Sequence, residues 1–291
     1  LGFGDRLVGI SHSCDPPPGR ENLPRLTSTV IDASADSAVI DAAVRERLRS
    51  STALYELDID TLAELAPDVI VSQGLCDVCA VATGDVLQAV AALPSAPQLV
   101  DLTPLTLDDV FADIARVGRV LGVAERGEAL AAELRRRCEA VQQRVTRPRT
   151  PLSCVFLEWL DPPFNGGHWN PELIALAGGR ELLGRVGKPS ETICFDDVSA
   201  ADPDVLVIAV CGQSAARARS DLTRLADLPV WSKLRAVSEG RVLLADGHAH
   251  FSRPGPALVD GLEWLAAGLD AVAAASQAEP GSRVSPARFA R

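Results

Sequence analysis

The sequence predicts an α/β protein of two similar lobes joined by a long rigid helix. Three observations lead there. A short pattern occurs twice: Asp60-Thr-Leu-Ala-Glu-Leu-Ala-Pro67-Asp68-Val-Ile-Val, and Asp196-Asp-Val-Ser-Ala-Ala-Asp-Pro203-Asp204-Val-Leu-Val-Ile. In each copy an acid stands seven positions before the proline. Short apolar runs alternate with helical segments on both sides of the chain, and one long periodic helical stretch separates them. A residue before proline is pushed out of the α region, so each copy reads as a helix that stops and a strand that starts. The Val/Ile/Leu runs read as strands buried on both faces. Repetition at this spacing implies two Rossmann-like lobes rather than one continuous sheet, with a ligand cleft between them.

The elements follow in order. Residues 6–10 read as a strand, ended by the loop Ser11-His-Ser-Cys-Asp-Pro-Pro-Pro18, whose prolines stop regular structure. Residues 36–49 read as a helix with Val39, Ile40, Val44 and Leu48 inward. A helix over 60–66 has Asp58 or Asp60 as its cap. Strand 69–72, the loop Gly74-Leu-Cys-Asp-Val-Cys79, helix 84–92 and strand 98–102 complete a first lobe of residues 1–105. Residues 106–147 are the connector. Val110, Ile114, Val117, Val120 and Leu121 keep helical spacing, as do Leu130, Leu134, Cys138 and Val141, and Gly122 marks a bend.

The second lobe, 148–274, opens with strand 152–158 and the loop Glu158 to Trp169. Helix 170–177 closes at Gly178-Gly179, a C-cap signal. Strand 204–210, helix 219–226, the segment Trp231–Leu234, strand 241–245, the loop Asp246–Pro256 and helix 257–273 follow. Residues 275–291 read as a disordered tail.

Composition narrows the function. The chain has 291 residues, enough for two cores. A net charge of -11 argues against nucleic acid, which needs a basic face. No run of 18 apolar residues spans a membrane. Seven scattered cysteines, an odd number, are not a small secreted disulfide framework. The first residue is Leu1 and there is no Met. A signal peptide ahead of Leu1 is therefore compatible with the sequence, and both cytoplasmic and extracytoplasmic locations stay open.

All four histidines, His12, His168, His248 and His250, lie in loops next to strand or helix ends, where parallel α/β sheets bind ligands. Cys14, Cys76 and Cys79 lie in equivalent loops. Cys76-x-x-Cys79 with His12 offers Zn ligand types, extended by His168 and His248. The competing reading is a disulfide or two packed thiols. Trp159, Phe164, Trp169 and Phe251 concentrate scarce aromatics in loops, either to contact something flat or to seal each loop onto its own lobe. Trp231 and Trp264 read as core. Glu158 and Asp161 form a carboxylate pair with no identifiable nucleophile, so the chain is not read as an enzyme. Gly2-Phe-Gly4 lacks the third glycine of a dinucleotide fingerprint. Asp60 and Asp196 stand at helix N-termini, either as caps or as matching charges for a two-fold partner.

These residues together resemble the helical-backbone (class III) substrate-binding proteins of ABC transporters, and within them the vitamin B12 (cobalamin)-binding group. The resemblance rests on Gly9-Ile-Ser-His-Ser-Cys-Asp-Pro-Pro, Asp60 to Val71, Gly178-Gly179 and its continuation, and Asp196 to Ile208, and it spans roughly 1–273. It implies a non-catalytic, monomeric protein that captures a corrinoid or related metal chelate, needs no cofactor, and delivers to an ABC permease from the periplasm or a lipid anchor. It implies that Asp60 and Asp196 dock onto permease arginines. It also implies one more strand and helix ahead of Leu1. The family's aromatic ligand wall falls on Pro16, Leu54 or Tyr55, Gln73 and Ser190, so Trp159, Trp169 and Phe251 would replace it from other loops. The expected ligand-binding set is His12, Cys14, Gln73, Cys76, Cys79, Glu158, Trp159, Phe164, His168, Trp169, His248, His250 and Phe251. Two alternatives remain: a transition-metal (Zn or Fe) receptor or chaperone using His12, Cys76, Cys79, His168 and His248, and a metal- or thiol-dependent enzyme.

Overall fold

The repeated motif folds the same way twice. In the first copy Ile59–Leu65 is helical, Ala66 turns left-handed at φ 42°, and Pro67-Asp68 leads into strand Val69–Gln73. In the second, Phe195–Ala201 is helical, Asp202 takes φ 41°, and Pro203-Asp204 leads into strand Val205–Ile208. The proline bars its predecessor from the α region, and a left-handed residue ends the helix in its place.

The computed structural model describes residues 1–50, 54–74, 83–145 and 150–278. The chain divides into two compact units, one of 1–104 with 113–130 and one of 105–112 with the described residues from 131 onward.

The first unit contains β1 (Thr27–Thr29), α1 (Ser37–Arg49), β2 (Tyr55–Leu57), α2 (Ile59–Leu65), β3 (Val69–Gln73), α3 (Thr83–Ala92) and β4 (Gln98–Leu102). β1 and β2 pair antiparallel with Ser28 opposite Glu56, and β3 and β4 pair parallel with Val69 opposite Gln98. Residues 6–10 are not the expected strand. Gly4–Arg6 forms a 3-10 turn, and Ile10 makes one isolated bridge to Arg25. Leu7 and Val8 are exposed, and among the described residues no strand pairs with them. Helix α1 forms, but Val39 and Leu48 are exposed. At 100° per residue the expected stripe from Val39 to Leu48 spans about 180°, too wide for one buried face.

The periodic stretch is realised as α4 (Leu107–Val120) and α5 (Ala124–Arg144), separated at Gly122, where φ is 72°. The break falls where the sequence marked a bend. The residues of both helices are divided between the two units. Around the turn the helices touch closely: a Cβ on Gly118 would stand 2.8 Å from the Gly127 Cα.

The second unit contains β5 (Ser153–Leu160), β6 (Pro163–Asn165), α6 (Asn170–Leu176), β7 (Arg180–Glu181), α7 (Phe195–Ala201), β8 (Val205–Ile208), α8 (Ala215–Leu225), α9 (Pro229–Lys233), α10 (Arg235–Ser238), β9 (Val242–Leu244), α11 (Gly247–His250) and α12 (Ala257–Ala278). Its sheet runs β6-β5-β8-β9, with β7 also beside β5. All pairings are parallel except β5 with β6. Both sheet faces are covered. Val155, Leu157, Leu206 and Ile208 pack with Trp231 and Leu234 on one side. Phe156 meets Phe251 on the other, where Leu258, Leu262 and Leu265 of α12 are fully buried. Strand alternation explains the division: neighbouring residues point to opposite faces. Helix α6 ends as expected, with Gly178 at φ 88° and the Gly179 N–H donating to the Ile174 carbonyl at 2.9 Å. Helix α8 starts earlier than its apolar pattern suggested, because the Ser214 hydroxyl caps it by accepting from the Arg217 N–H. Helix α12 runs to Ala278, so residues 275–278 are helical rather than tail; the rest of the expected tail lies outside the described residues. No described helix is long and apolar enough to cross a membrane.

Candidate functional site

In the first unit the loop after Ile10 is folded by one cation. Arg25 Nη1 donates to the carbonyls of Ser11, His12 and Cys14 at 2.9, 2.9 and 3.0 Å. This places His12 beside β1 and β2. Its backbone N–H donates to Thr27 Oγ1 at 2.9 Å, and its Nδ1 lies 2.7 Å from the same hydroxyl. The ring stacks on Tyr55, with centroids 5.1 Å apart and planes 23° from parallel. Burial, then the Arg25 charge, lowers the imidazole pKa. His12 is therefore neutral at neutral pH and held from both the edge and the face. Cys14 is exposed, its Sγ 3.1 Å from Ser11 Oγ. Gln73 is the half-buried last residue of β3. Cys76 and Cys79 lie outside the described residues.

In the second unit the loops after β5, β8 and β9 gather at the carboxyl edge of the sheet. Glu158 braces its own loop through one oxygen: its Oε1 accepts from Gly167 N–H at 2.7 Å and Asn170 Nδ2 at 2.6 Å. Gly167 is required there, since a Cβ would stand 2.3 Å from the Ser190 nitrogen. His168 follows in the left-handed region at φ 50°, and its N–H donates to the Lys188 carbonyl at 2.6 Å. Burial lowers its pKa against the opposing pull of Glu158.

Two expected ligand aromatics are core residues instead. Trp169 is 2% exposed and donates its indole N–H to the Phe251 carbonyl at 2.8 Å. Phe251 is 1% exposed, with ring centroids 5.6 Å from Phe156 and 6.2 Å from Trp264. Each buries a large apolar ring, and the indole N–H is satisfied inside, so the loop is sealed onto its own unit. Trp159 is half-buried against the core with its N–H on the Asp161 carbonyl, and it neighbours half-buried Phe164 across β5 and β6. Trp231 is buried, as the sequence indicated, and Trp264 half-buried.

His248 lies against a cation, with Arg253 Nη2 2.5 Å from its Nε2. A guanidinium can only donate, so this ring nitrogen accepts and is occupied. Among the described residues no three His, Cys, Asp or Glu side chains converge on a metal position. The described part of the expected metal set therefore forms no metal centre.

Three polar residues of the second unit escaped sequence reasoning, and one of them, Glu181, lies beside the start of β5 rather than at this edge. Glu181 Oε1 accepts from the N–H groups of Leu183 and Gly184, and Oε2 from Phe156, while burial pushes its pKa up to about 7. Gln213 and Asn170 are buried with side-chain atoms lacking partners among the described residues. Only the position of Gln213, two residues beyond Cys211 at the end of β8, was visible beforehand.

Asp60 and Asp196 are each the second residue of a seven-residue helix, and both are exposed. Neither caps its helix. Asp58 does so in α2, accepting from the Thr61 N–H at 2.9 Å. Cys194 and Asp197 do so in α7, where Asp197 accepts from the Cys194 N–H at 2.8 Å.

A family model described as periplasmic binding protein matches residues 1–249. The fold is similar to that of the periplasmic vitamin B12-binding protein BtuF of Vibrio cholerae, at 20% identity and TM-score 0.65, covering 94% of this chain and 91% of that one. It is similar to the periplasmic heme-binding protein RhuT of Roseiflexus sp. RS-1, at 22% identity and TM-score 0.68, covering 94% and 92%. It is also similar to an ABC-type Fe3+-hydroxamate transport protein of Saccharomonospora viridis, at 23% identity and TM-score 0.55, covering 72% and 71%. No curated protein sequence matches the chain.

Proposed function

The chain belongs to the periplasmic binding protein family, and from that premise we propose that it captures a corrinoid-type metal chelate for an ABC importer. It is a binding protein and not an enzyme. The observation that carries the chelate reading is His12: a neutral imidazole, edge-bonded to Thr27 and stacked on Tyr55. In the tautomer that donates Nδ1–H to the Thr27 hydroxyl, Nε2 presents its lone pair. A neutral imidazole nitrogen is the ligand that an axial position on cobalt or iron accepts. The similar folds support a ligand of this kind, since B12 and heme are both metal macrocycles.

The proposed contacts are His12, Cys14, Gln73, Cys76, Cys79, Glu158, Trp159, Phe164, His168, His248 and His250, without the core residues Trp169 and Phe251. Delivery to a permease, with Asp60 and Asp196 as docking acids, and an extracytoplasmic location complete the proposal. Spectral titration of the purified protein with cobalamin, dicyanocobinamide and hemin tests it. The expected outcome is saturable binding at micromolar Kd or tighter, about -8 kcal/mol or better, with a spectral change at the metal that His12→Ala abolishes. Absence of binding to all three, beside stoichiometric Zn in the purified protein, would replace the chelate reading with a metal receptor.

A further inference from the structure

Two buried polar groups of the second unit bear on which chelate is bound, and this step rests on the chelate reading above. Gln213 follows β8 and is 6% exposed. Its Nε2 and Oε1 are both buried, and neither has a hydrogen-bond partner among the described residues. The backbone of the same residue is fully used. Its N–H donates to the Val210 carbonyl, and its carbonyl accepts from the His248 N–H, each at 3.0 Å. The loop is therefore pinned while its amide is unmatched, and an unmatched buried amide costs folding free energy.

The neighbouring loop repeats the observation. His250, in the turn after β9, has a buried Nδ1 with no partner among the described residues. The two loops are in contact: a Cβ on Gly247 would stand 2.1 Å from the Val210 carbonyl oxygen. β8 and β9 are adjacent parallel strands, and the carboxyl ends of parallel strands are where α/β sheets take ligands. The outer side of the first loop is open. Gly212 is exposed, with empty space where a Cβ would be, and Ser214 is exposed too. Contact with a ligand requires the Gln213 side chain to turn outward between them, a change of rotamer rather than of fold.

We propose that Gln213 recognises a primary carboxamide of the ligand. A glutamine amide offers two N–H donors and an oxygen with two lone pairs. A carboxylate only accepts, so it would match Nε2 and leave Oε1 unpaired. A primary carboxamide both donates and accepts, and closes a two-bond ring with the glutamine. Corrinoids carry primary carboxamides around the macrocycle, whereas heme carries carboxylates. Gln213 therefore selects the corrinoid class.

The test uses the full chain with Gln213→Leu and Gln213→Glu, calorimetric titration with dicyanocobinamide and with hemin, and melting curves without ligand. Q213L is expected to melt no lower than the parent, because an apolar side chain replaces an unmatched polar one. Its affinity for cobinamide should fall about tenfold, the weight of one good hydrogen-bonded contact, while any affinity for hemin holds. Gln213→Glu keeps the shape and removes the donors, and should weaken cobinamide as well. Unchanged cobinamide affinity in both variants overturns the assignment. So does a lower melting temperature of Q213L with affinity retained, which would make the amide a structural group matched by internal water. A parent protein that binds hemin but not cobinamide ends the carboxamide assignment and leaves the chelate reading standing. Binding of neither ends both.

Discussion

Asp60 and Asp196 hold the same structural position: each is the second residue of a seven-residue helix that ends in a left-handed residue ahead of Pro-Asp. The caps beside them differ. Asp58 closes α2 with its own carboxylate, whereas α7 is closed by Cys194 together with Asp197. What the two copies share is therefore an exposed first-turn carboxylate that does not cap its helix. The proposed docking role rests on this exposure and on the matching positions in the two copies.

Reversing both charges should separate docking from folding. The pair Asp60→Arg and Asp196→Arg should leave ligand affinity and melting temperature nearly unchanged and abolish uptake through the importer. Like charges opposed at an interface cost several kcal/mol. Normal uptake by the reversed pair would remove the docking role.

The cap itself gives the complementary result. Asp58→Ala removes an acceptor of the Thr61 N–H and hydroxyl, at 2.9 and 2.7 Å. It should lower stability by about 1 kcal/mol, and Asp60→Ala should not. Denaturant midpoints of the two single variants decide between them; equal losses would mean that both acids support the helix.

Much of the second unit was legible because its strands are apolar runs bounded by proline and glycine, and Pro203 and Gly178-Gly179 act locally. The Gly122 break was legible for the same reason. Residues 6–10 misled because an apolar run is a strand only when a neighbour supplies the ladder, and among the described residues Leu7 and Val8 have none. Trp169 and Phe251 misled because a loop position does not say which way a ring points; the buried N–H bond to a carbonyl decides that. The position of Gln213 was legible but its unmatched amide was not, since the partnering of an amide is a tertiary property.

The α4–α5 turn depends on glycine where sequence reading saw only the bend. A side chain at Gly118 meets the Gly127 backbone at 2.8 Å, and backbone cannot move aside as a flexible side chain does. Gly118→Val should therefore destabilise by about 1–3 kcal/mol, the usual cost of overpacking. Gly122→Ala should also cost stability, through its φ of 72° alone, since a Cβ there meets nothing within 4 Å. Thermal melts of both check this, and a Gly118→Val protein as stable as the parent would mean that the helices separate freely.

His12 gives ligand binding a pH dependence. Burial and Arg25 hold its pKa below 6.5, so the ring is neutral across neutral pH. Protonation on acidification removes the lone pair that the metal needs. Chelate affinity should be flat from pH 8 to about 7 and fall only in acid, below the ordinary imidazole range near 6.5. His12→Ala should bind more weakly and lose this acid limb. Titration across pH with both proteins tests it, and an acid limb retained by His12→Ala would assign the proton elsewhere.

Glu181 should make folding stability fall as pH rises. Burial raises its pKa from 4.5 to about 7, against the pull of the backbone N–H groups of Gly184, Leu183 and Phe156. Between those two values the folded protein holds a proton that the unfolded chain has released. The stability tied to this group is thus fully present below pH 4.5 and lost as pH climbs through about 7. The loss is on the order of 3 kcal/mol. Asp204 acts outside this window. Burial opposes its charge, but bonds from Ser153 and Arg235 prevail and hold its pKa low, so its contribution is lost only in acid. His12 and His168, with lowered pKa values, slope the other way through the same range. Comparison with Glu181→Gln isolates the carboxyl. The variant should be less stable by about 1–3 kcal/mol at pH 4.5, where its amide N–H groups face the Phe156 N–H. It should then lose less than the parent between pH 4.5 and 7.5. Urea unfolding at those two pH values measures the difference, and parallel losses in the two proteins would show that Glu181 stays ionised in its ring of backbone donors.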